Sequence, residues 1–356
     1  MSMIVHERPG IYSSYDASTV VTGGTSAKTV GIAAKATKGT VGTAVTMTGY
    51  AACVTAFGED AAGSPGMSTL VKLLLKNGAT CVVGVKVDDT GGTAEYQAAF
   101  DVLALAEEVQ IVLCDSALLA VQQAMRDMVQ NASDNRRERM AVVGGSGETA
   151  TQLVTHAAGL NSERVVLVGP DALDSDGNTM PSVFAAAALA GAIASSTDPA
   201  VPLNGVTLYG LGGLSAAYGD NDVDLLVRGG VTPLESSAGM ISPVRGITTR
   251  TSTEGTADTT WRELTTILIV DNVIPAIRSA LRSKFTRTKN TAQNRSAVRS
   301  QIIVELEKKV AAQIIDSYGE VSVTVSSDDP TVCVAEFSFA VAHGLNQIYL
   351  TAHITV

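Results

Sequence analysis

Four short, uninterrupted apolar runs alternate with helix-like segments between residues 80 and 196. The runs are residues 82–87, 111–114, 140–143 and 165–168, and the segments between them are long enough for crossover helices. Strands that are buried on both faces read as continuous apolar runs, and a helix joins each parallel strand to the next. The pattern therefore predicts four neighbouring parallel strands in one doubly wound α/β domain.

The composition fits such packing and excludes some classes of protein. The chain is 46% hydrophobic but only 4% aromatic, so small side chains allow close contacts between helices and sheet. The formal net charge of −10 argues against a general nucleic-acid binder. Cys53, Cys81, Cys114 and Cys333 form no C-x-x-C pair. Cys81 and Cys114 lie in apolar runs, which indicates buried thiols in a reducing compartment.

No targeting or membrane-spanning segment is expected. The first residues, MSMIVHERPGIY, lack the long apolar run of a signal peptide. The stretch nearest to a membrane span, residues 183–196, is too short to cross a bilayer and predicts a buried, Ala-rich helix.

The sequence changes character after residue 230. Residues 231–254 are rich in turn formers and β-branched residues, and two helices follow, the first with Pro275 at a kink or a break. Strand-like segments then continue to the end. These features predict a second, α+β C-terminal unit.

Charge is unevenly distributed along the chain. Residues 240–310 hold twelve Lys or Arg and six Asp or Glu, whereas the rest is strongly acidic. A basic section in an acidic protein indicates docking on an acidic surface, for example on another copy of the chain. A basic helix face in water is the alternative. The residues assigned to a basic assembly contact are Arg278, Arg282, Lys284, Arg287, Lys289, Arg295 and Arg299.

Three features are candidates for chemistry, and none predicts a reaction. The Gly-rich VVGGSGETA at 142–150 matches neither phosphate-binding pattern. DALDSDGNTM at 171–180 lacks the calcium-loop register, because position 185 is Ala where the closing Glu would stand. The histidines, at 6, 156, 343 and 353, are not spaced for a metal. No catalytic residue, metal or cofactor is expected, although an α/β enzyme or small-ligand-binding protein stays the alternative.

The last residues have strand spacing. Apolar side chains fall on every second position, at Ile348, Leu350, Ala352, Ile354 and Val356. Such a strand could pair with residues 320–327 or 331–339 of its own chain, or with another chain. The spacing alone leaves both possibilities open.

Three stretches, in this order, resemble contractile tail sheath proteins of bacteriophages and phage-tail-like bacteriocins. Residues 7–59 hold the motif PGIY at 9–12, the segment VGIAAKATKGTVG and a closing Phe-Gly; residues 68–87 form a helix–NG–strand unit. From residue 245 the chain runs through WRELTTILIVDNVIPAIRSAL to the closing strands. It departs from the family in Ser13-Ser14-Tyr15, where an acidic continuation is usual.

The resemblance implies a non-enzymatic subunit that polymerises helically around an inner tail tube. Contraction of the polymer would drive the tube through the target cell envelope. The implied partners are other copies of the chain, the inner tube protein, and baseplate and terminator proteins, with no nucleic acid and no direct membrane insertion. The implied location is a virion tail or bacteriocin particle assembled in the bacterial cytoplasm.

The resemblance also implies a division of the chain. Residues 1–20 would be an N-terminal arm, 21–245 an outer α/β domain, 246–342 an inner assembly domain and 343–356 a C-terminal arm. The arms would add strands to sheets of neighbouring subunits, with Gly10, Gly23, Gly24 and Gly344 as hinges. The residues assigned to these inter-subunit arms are Pro9, Gly10, Ile11, Tyr12, Gly344, Ile348, Tyr349, Leu350 and Ile354.

Overall fold

An eight-stranded sheet forms the centre of the computed structural model, which describes residues 28–61, 63–327, 329–346 and 348–352. The strands in these ranges are β1 Thr29–Ala34, β2 Ala44–Met47, β3 Val82–Lys86, β4 Val109–Cys114, β5 Met140–Gly144, β6 Val165–Gly169, β7 Ala172–Leu173, β8 Thr179–Met180, β9 Gly213–Leu214, β10 Val231–Ser237, β11 Met240–Pro243, β12 Ser252–Thr253, β13 Thr256–Ala257, β14 Ile315–Tyr318, β15 Ser322–Val325, β16 Cys333–Glu336 and β17 Phe339–Val341. The helices are α1 Tyr50–Phe57, α2 Met67–Lys76, α3 Thr93–Leu105, α4 Leu119–Asp134, α5 Ala150–Leu160, α6 Ser182–Ser195, α7 Asp220–Arg228, α8 Leu264–Phe285 and α9 Ala292–Ala311.

The strand order of the main sheet is β11-β10-β6-β5-β4-β1-β3-β2. Six strands are parallel, and the edge strands β2 and β11 pair antiparallel with their neighbours. All parallel strands therefore begin along one side of the sheet, here called the amino edge, and end along the opposite side, the carboxyl edge. Both run across the strands and differ from the outer strands β2 and β11. The predicted parallel, doubly wound α/β domain is confirmed.

One predicted neighbour relation is wrong, because β1 lies between β3 and β4. Gly31 of β1 pairs with Val83 on one side and with Val112 on the other. A Cβ atom on Gly31 would lie 2.8 Å from Val109, so only glycine fits under this crowded face. Sequence periodicity indicates that a segment is a strand. It does not indicate the order of strands in the sheet, so the position of β1 between β3 and β4 could not be predicted.

Helices cover both faces of the sheet and enclose two apolar cores. Helices α1, α2 and α6 pack on one face, and α3, α4, α5 and α7 pack on the other. Helix α6 is buried from Ser182 to Ala194, as the Ala-rich stretch predicts. Cys114 is buried as predicted, whereas Cys81 is half-buried.

A third core holds the C-terminal part together. Ile269, Val273 and Ile277 of α8 pack with Ile302 and Leu306 of α9 in this core. Two hairpin-like pairs, β14–β17 and β15–β16, lie beside the helices. The α+β C-terminal unit is thus confirmed, and α8 runs through Pro275 without a break.

Helix α8 contributes to two cores at once. Leu264, Ile267 and Leu268 belong to the core under the main sheet, whereas Ile269 and Val273 belong to the C-terminal core. Within the described ranges, α8 is the one helix that is long and apolar enough to cross a membrane by length and composition alone. The expectation that no stretch reaches this length is therefore wrong. The six buried residues of α8 pack in these two cores, and the rest of the helix is half-buried or exposed.

The connection into α8 remains attached to the sheet. The Thr249 amide donates to the Val165 carbonyl at 2.8 Å, and the Thr249 hydroxyl donates to the Ser162 carbonyl at 3.0 Å. These contacts place the start of the second predicted domain, from residue 246, against the amino edge of the sheet. The domain limits at residues 20, 245 and 342 stay predictions.

Candidate assembly interface

Helix α8 lies across the amino edge of the sheet and is fixed there by ion pairs. Asp271 accepts two hydrogen bonds from Arg164, at 2.9 and 3.2 Å, just before β6 begins. Two turns further along α8, Arg278 donates to Glu138 at 2.8 Å, just before β5 begins. Burial raises the pKa of the Asp271 carboxyl, and the Arg164 guanidinium opposes that shift. The pair therefore positions the helix but does not fully offset the desolvation of its carboxylate.

A cleft of about 990 Å³ opens between α8 and the amino edge. Its charged lining residues are Lys28, Glu107, Arg136, Arg137, Glu138, Asp271, Arg278 and Arg282. All three acidic groups are already paired with arginine, Glu107 with Arg137 at 3.0 Å. The exposed side chains of Arg136 and Arg282 have no partner among the described residues. The cleft, called here the amino-edge cleft, is therefore basic.

The seven residues assigned to a basic assembly contact divide into two groups in the described structure. Four bind within their own chain: Arg278 as above, Lys284 to the Gln301 side chain at 2.6 Å, Arg295 to the Asn290 side chain at 3.0 Å and Arg299 to the Val321 carbonyl at 2.7 Å. The exposed side chains of the other three, Arg282, Arg287 and Lys289, have no partner in the described part of the chain. Those three are available to bind another molecule.

Arg136 also belongs to this basic surface, although it lies far outside the basic section of residues 240–310. It lies in the loop before β5 with φ 66°, and its carbonyl accepts a hydrogen bond from Arg278 at 3.4 Å. The charged run NRRER at 135–139 was the available signal. Only the fold brings this run beside the end of α8, more than 140 residues later in the sequence.

The carboxyl edge has the opposite charge. The turn between β7 and β8 carries the exposed Asp176, and the start of α7 carries the exposed Asp220 and Asp222. These three residues are called here the carboxyl-edge rim. Asp171, Asp222 and Glu148 all lie close enough to Tyr218 to act on its hydroxyl. Burial raises the pKa of Tyr218 to about 12, and these carboxylates add to the rise.

The Gly-rich turn at this edge is filled by the protein itself. The Gly147 amide donates to Asp171 at 2.7 Å, and the Ser182 amide donates to the other oxygen of the same carboxylate at 2.8 Å. A carboxylate thus occupies the place where a phosphate-binding turn would hold its ligand.

The other chemical candidates are also occupied by internal contacts. Asp174 accepts from the amides of Asp176 and Asn178, both at 2.8 Å, so the calcium-like loop closes on its own backbone. His156 is buried, with Glu148 at 3.0 Å from Nδ1 and Gln122 at 2.9 Å from Nε2. Within the described ranges, no group of three His, Cys, Asp or Glu residues could hold a metal ion.

The segment after β17 leaves the C-terminal core and contacts the sheet domain. A Cβ atom on Gly344 would lie 2.9 Å from Pro202, and the Asn204 side chain donates to Asn346 at 2.8 Å. Gly344 was predicted as a hinge; in this structure it is a point of close contact. Beyond it Ile348 and Leu350 are 77% and 91% exposed, and residues 348–352 form no strand within the described chain.

Several predicted arm residues lie outside the described structure. Pro9, Gly10, Ile11, Tyr12 and Ile354 belong to this group, and so do the predicted hinges Gly23 and Gly24. Gly344, Ile348, Tyr349 and Leu350 are described, and the last three are exposed. In the described part of the chain, the pairs β14–β17 and β15–β16 are each two-stranded, so each has outer edges to which a further strand could be added.

Sequence comparison places known relatives on both parts of the chain. A sequence model of the phage tail sheath protein central domain matches residues 89–249, and a model of the phage tail sheath C-terminal domain matches residues 256–355. The tail sheath protein of Bacillus phage SP01 is 30% identical over 252 residues, which cover 69% of this chain and 43% of that relative. The chain thus spans less than half the length of this curated relative.

Solved structures with the same fold come from contractile particles. A chain of the sheath complex of an extracellular contractile injection system, PVC, in its contracted state, superposes with a TM-score of 0.74 at 14% identity and covers 99% of each chain. A chain in the baseplate of the anti-feeding prophage gives a TM-score of 0.70 at 15% identity, covering 99% of this chain and 100% of the other. The whole described architecture, including the C-terminal domain, therefore has known counterparts.

Proposed function

The chain belongs to the phage tail sheath family, and on this premise we propose that it is a structural subunit of a contractile tail sheath. Copies polymerise helically around an inner tube, and contraction of the polymer drives the tube through the envelope of a target cell. The observation that carries the proposal is the pair of family matches, one on the sheet domain and one on the C-terminal domain.

The arms link neighbouring subunits in this proposal. Ile348 and Leu350 are largely exposed in the single chain, and their spacing of two residues would put them on one face of the strand that this segment forms on a neighbour. A second subunit offers the outer edges of β14–β17 and β15–β16, where main-chain hydrogen bonds give affinity and alternate side chains give register. The N-terminal residues around Pro9 to Tyr12 take a matching role on another neighbour.

The partners follow from the same family. The subunit binds other copies of itself, an inner tube protein, a baseplate and a terminator, in a phage tail or tail-like particle assembled in the bacterial cytoplasm. It works without catalysis, and the energy of contraction is stored in the packing of the extended polymer. No direct insertion of the subunit into a membrane is needed.

The rival function, an α/β enzyme or ligand-binding protein, is less well supported by the geometry. Ligands of open parallel sheets bind in a crevice at the carboxyl ends of the strands. At that edge Asp171 fills the Gly-rich turn, whereas the large cleft lies at the amino edge. This arrangement favours a role in assembly.

Electron microscopy of the purified chain tests the proposal. We expect tubes or ring stacks whose wall has the dimensions of one subunit, formed without nucleotide or metal. A strictly monomeric protein at high concentration, both alone and with a tube protein of the same particle, would contradict the proposal. A monomer that turns over a small molecule would support the rival.

A further inference from the structure

The two ends of the parallel sheet carry opposite charge. Arg278 and Arg282 of α8 line the basic amino edge. At the amino edge the acidic groups Glu107, Glu138 and Asp271 are each neutralised by an arginine. Arg136 and Arg282 remain unpaired among the described residues, on the two walls of the amino-edge cleft. The cleft therefore presents uncompensated positive charge in a concave site, where field lines are focused.

The position of Arg136 and Arg282 is fixed by the fold. The Arg136 carbonyl accepts from Arg278, which is one turn before Arg282 on the same helix, and Arg278 is itself held by Glu138. The cleft is thus formed between α8 and the loop before β5, and Arg278 joins the two. Its volume of about 990 Å³ is enough for a loop of several residues.

The carboxyl-edge rim is the complementary surface on the same molecule. Helix α7 ends at Arg228, next to the start of β10 at the amino edge, so its first turn points toward the carboxyl edge. A Cβ atom on Gly169, the last residue of β6, would lie 3.5 Å from the Tyr218 hydroxyl, which places the start of α7 beside the loop after β6. Asp176, Asp220 and Asp222 are exposed there and have no cationic partner in the described chain.

We propose that the amino-edge cleft of one copy receives the carboxyl-edge rim of a second copy. The acidic side chains Asp220 and Asp222 of one molecule then face Arg136 and Arg282 of the next. Because the two surfaces lie at opposite ends of the sheet, the contact is head-to-tail and leaves a free cleft and a free rim for further copies. The inference specifies a contact within the proposed sheath, in addition to strand exchange by the arms.

A charge-exchange experiment tests this contact directly. The first variant carries Asp220→Lys and Asp222→Lys, and the second carries Arg136→Glu and Arg282→Glu. Neither variant should polymerise alone at low salt, because each brings like charges together, and the threshold concentration for assembly should rise at least about tenfold. An equimolar mixture should assemble again, because each reversed surface meets an opposite one on the other variant.

Sedimentation velocity and electron microscopy provide the readouts, with circular dichroism as the check on folding. A third variant with all four substitutions should assemble by itself, which a merely misfolded chain could not do. A matched control, Asp101→Lys with Asp127→Lys on the exposed faces of α3 and α4, changes the net charge by the same amount as the first variant and should leave assembly unchanged, because neither residue lines the amino-edge cleft.

The outcomes separate this inference from the proposed function. Assembly of either single-surface variant at the wild-type threshold would overturn the inference, and so would a mixture that associates no better than its components. Wild-type chains that form no tubes would contradict the sheath proposal. In that case the association of the two variants, measured by sedimentation alone, still decides whether the contact exists.

Discussion

Arg139 shows how much of this fold depends on single buried polar groups. It is only 1% exposed, and its guanidinium donates to the carbonyls of Leu103 and Ala104, the latter at 3.3 Å, at the end of α3. The last carbonyls of a helix lack the usual i→i+4 donor, and here Leu103 also accepts from the Ala106 amide at 3.1 Å. A cation at this position also matches the negative end of the helix dipole.

We expect Arg139→Ala to lower the free energy of unfolding by about 2–3 kcal/mol, because buried carbonyls lose their donors. Urea denaturation followed by circular dichroism measures the loss. Arg137→Ala is the neighbouring control, since its pair with Glu107 is exposed and contributes less than about 1 kcal/mol. Equal effects of the two substitutions would contradict the role assigned to Arg139.

A second residue-scale prediction concerns pH. The Thr253 hydroxyl donates to Asp258 at 2.5 Å, and with the Thr260 contacts it lowers the pKa of that carboxyl to about 2. The pKa of Asp258 is lower in the folded state than in the unfolded state. The stability that this contact contributes is therefore fully present at pH values above the ordinary pKa of aspartate. It is lost as the pH falls toward 2.

Carbon NMR of the Asp258 side chain should therefore show a titration midpoint near 2 in the folded protein. Thr253→Val removes the donor and should move the midpoint up toward the ordinary value for aspartate. Thr90→Val, which removes the donor to Asp88, is a control that should leave the Asp258 midpoint in place. An unchanged midpoint in Thr253→Val would contradict the assignment.

At the scale of elements, the terminal segment provides the clearest test of assembly. We expect deletion of residues 345–356 to leave the unfolding transition of the body unchanged, because Ile348 and Leu350 make almost no apolar contact in the single chain. The same deletion should abolish polymerisation, since strand addition loses its main-chain hydrogen bonds. Electron microscopy and differential scanning calorimetry give the two readouts.

Substitutions in the same segment refine that test. Ile348→Asp with Leu350→Asp should also block assembly, since each lost apolar side chain costs about 1.5–3 kcal/mol of burial. Thr351→Asp, compared with Leu350→Asp alone, places the same single charge on the other face of the strand and should be tolerated better. A truncated chain that still forms full-length tubes would contradict strand exchange at this end.

Helices and strands could be predicted from the sequence where the apolar periodicity and the length of the segment indicate the same type of element. The apolar runs around Val82, Val112, Val142 and Val166 are all buried parallel strands, and α8 and α9 occupy the two predicted helices. The insertion of β1 was not predictable, because it depends on a long-range choice of partner that local spacing does not encode. The basic surface was visible as composition, but which arginines are free depends on contacts such as Arg278 with Glu138.

The ion pair of Asp271 and Arg164 joins α8 to the start of β6. Two variants distinguish the cost of an unpaired buried charge from the loss of the pair itself. Asp271→Ala leaves Arg164 buried without its carboxylate, and we expect a loss of about 3 kcal/mol. The double variant Arg164→Met with Asp271→Leu removes both charges and should regain most of that loss. Chemical denaturation of the wild type and the two variants measures both losses, and a double variant that is no more stable than Asp271→Ala would contradict this account.

On the scale of the whole molecule, the charge distribution predicts how assembly responds to salt. The threshold concentration for polymerisation should rise as ionic strength increases, because exposed charges are screened over about 8 Å at 0.15 M. Light scattering across a salt series measures the threshold. Arg282→Glu with Arg287→Glu should raise this threshold at low salt, and the thresholds of the variant and the wild type should converge at high salt. Unchanged assembly of the variant would argue against a basic contact.

Helix α8 has a mechanical consequence for the molecule. Leu268 packs in the core under the sheet, and the next residue, Ile269, packs in the C-terminal core. Within the described ranges, α8 therefore joins the two cores directly, without a flexible linker at this crossing. A pull applied to the C-terminal helices acts as a shear on both cores at once. In a single-molecule stretching experiment, the two cores should yield together at one force, so that a displacement of the C-terminal helices is passed on to the sheet domain.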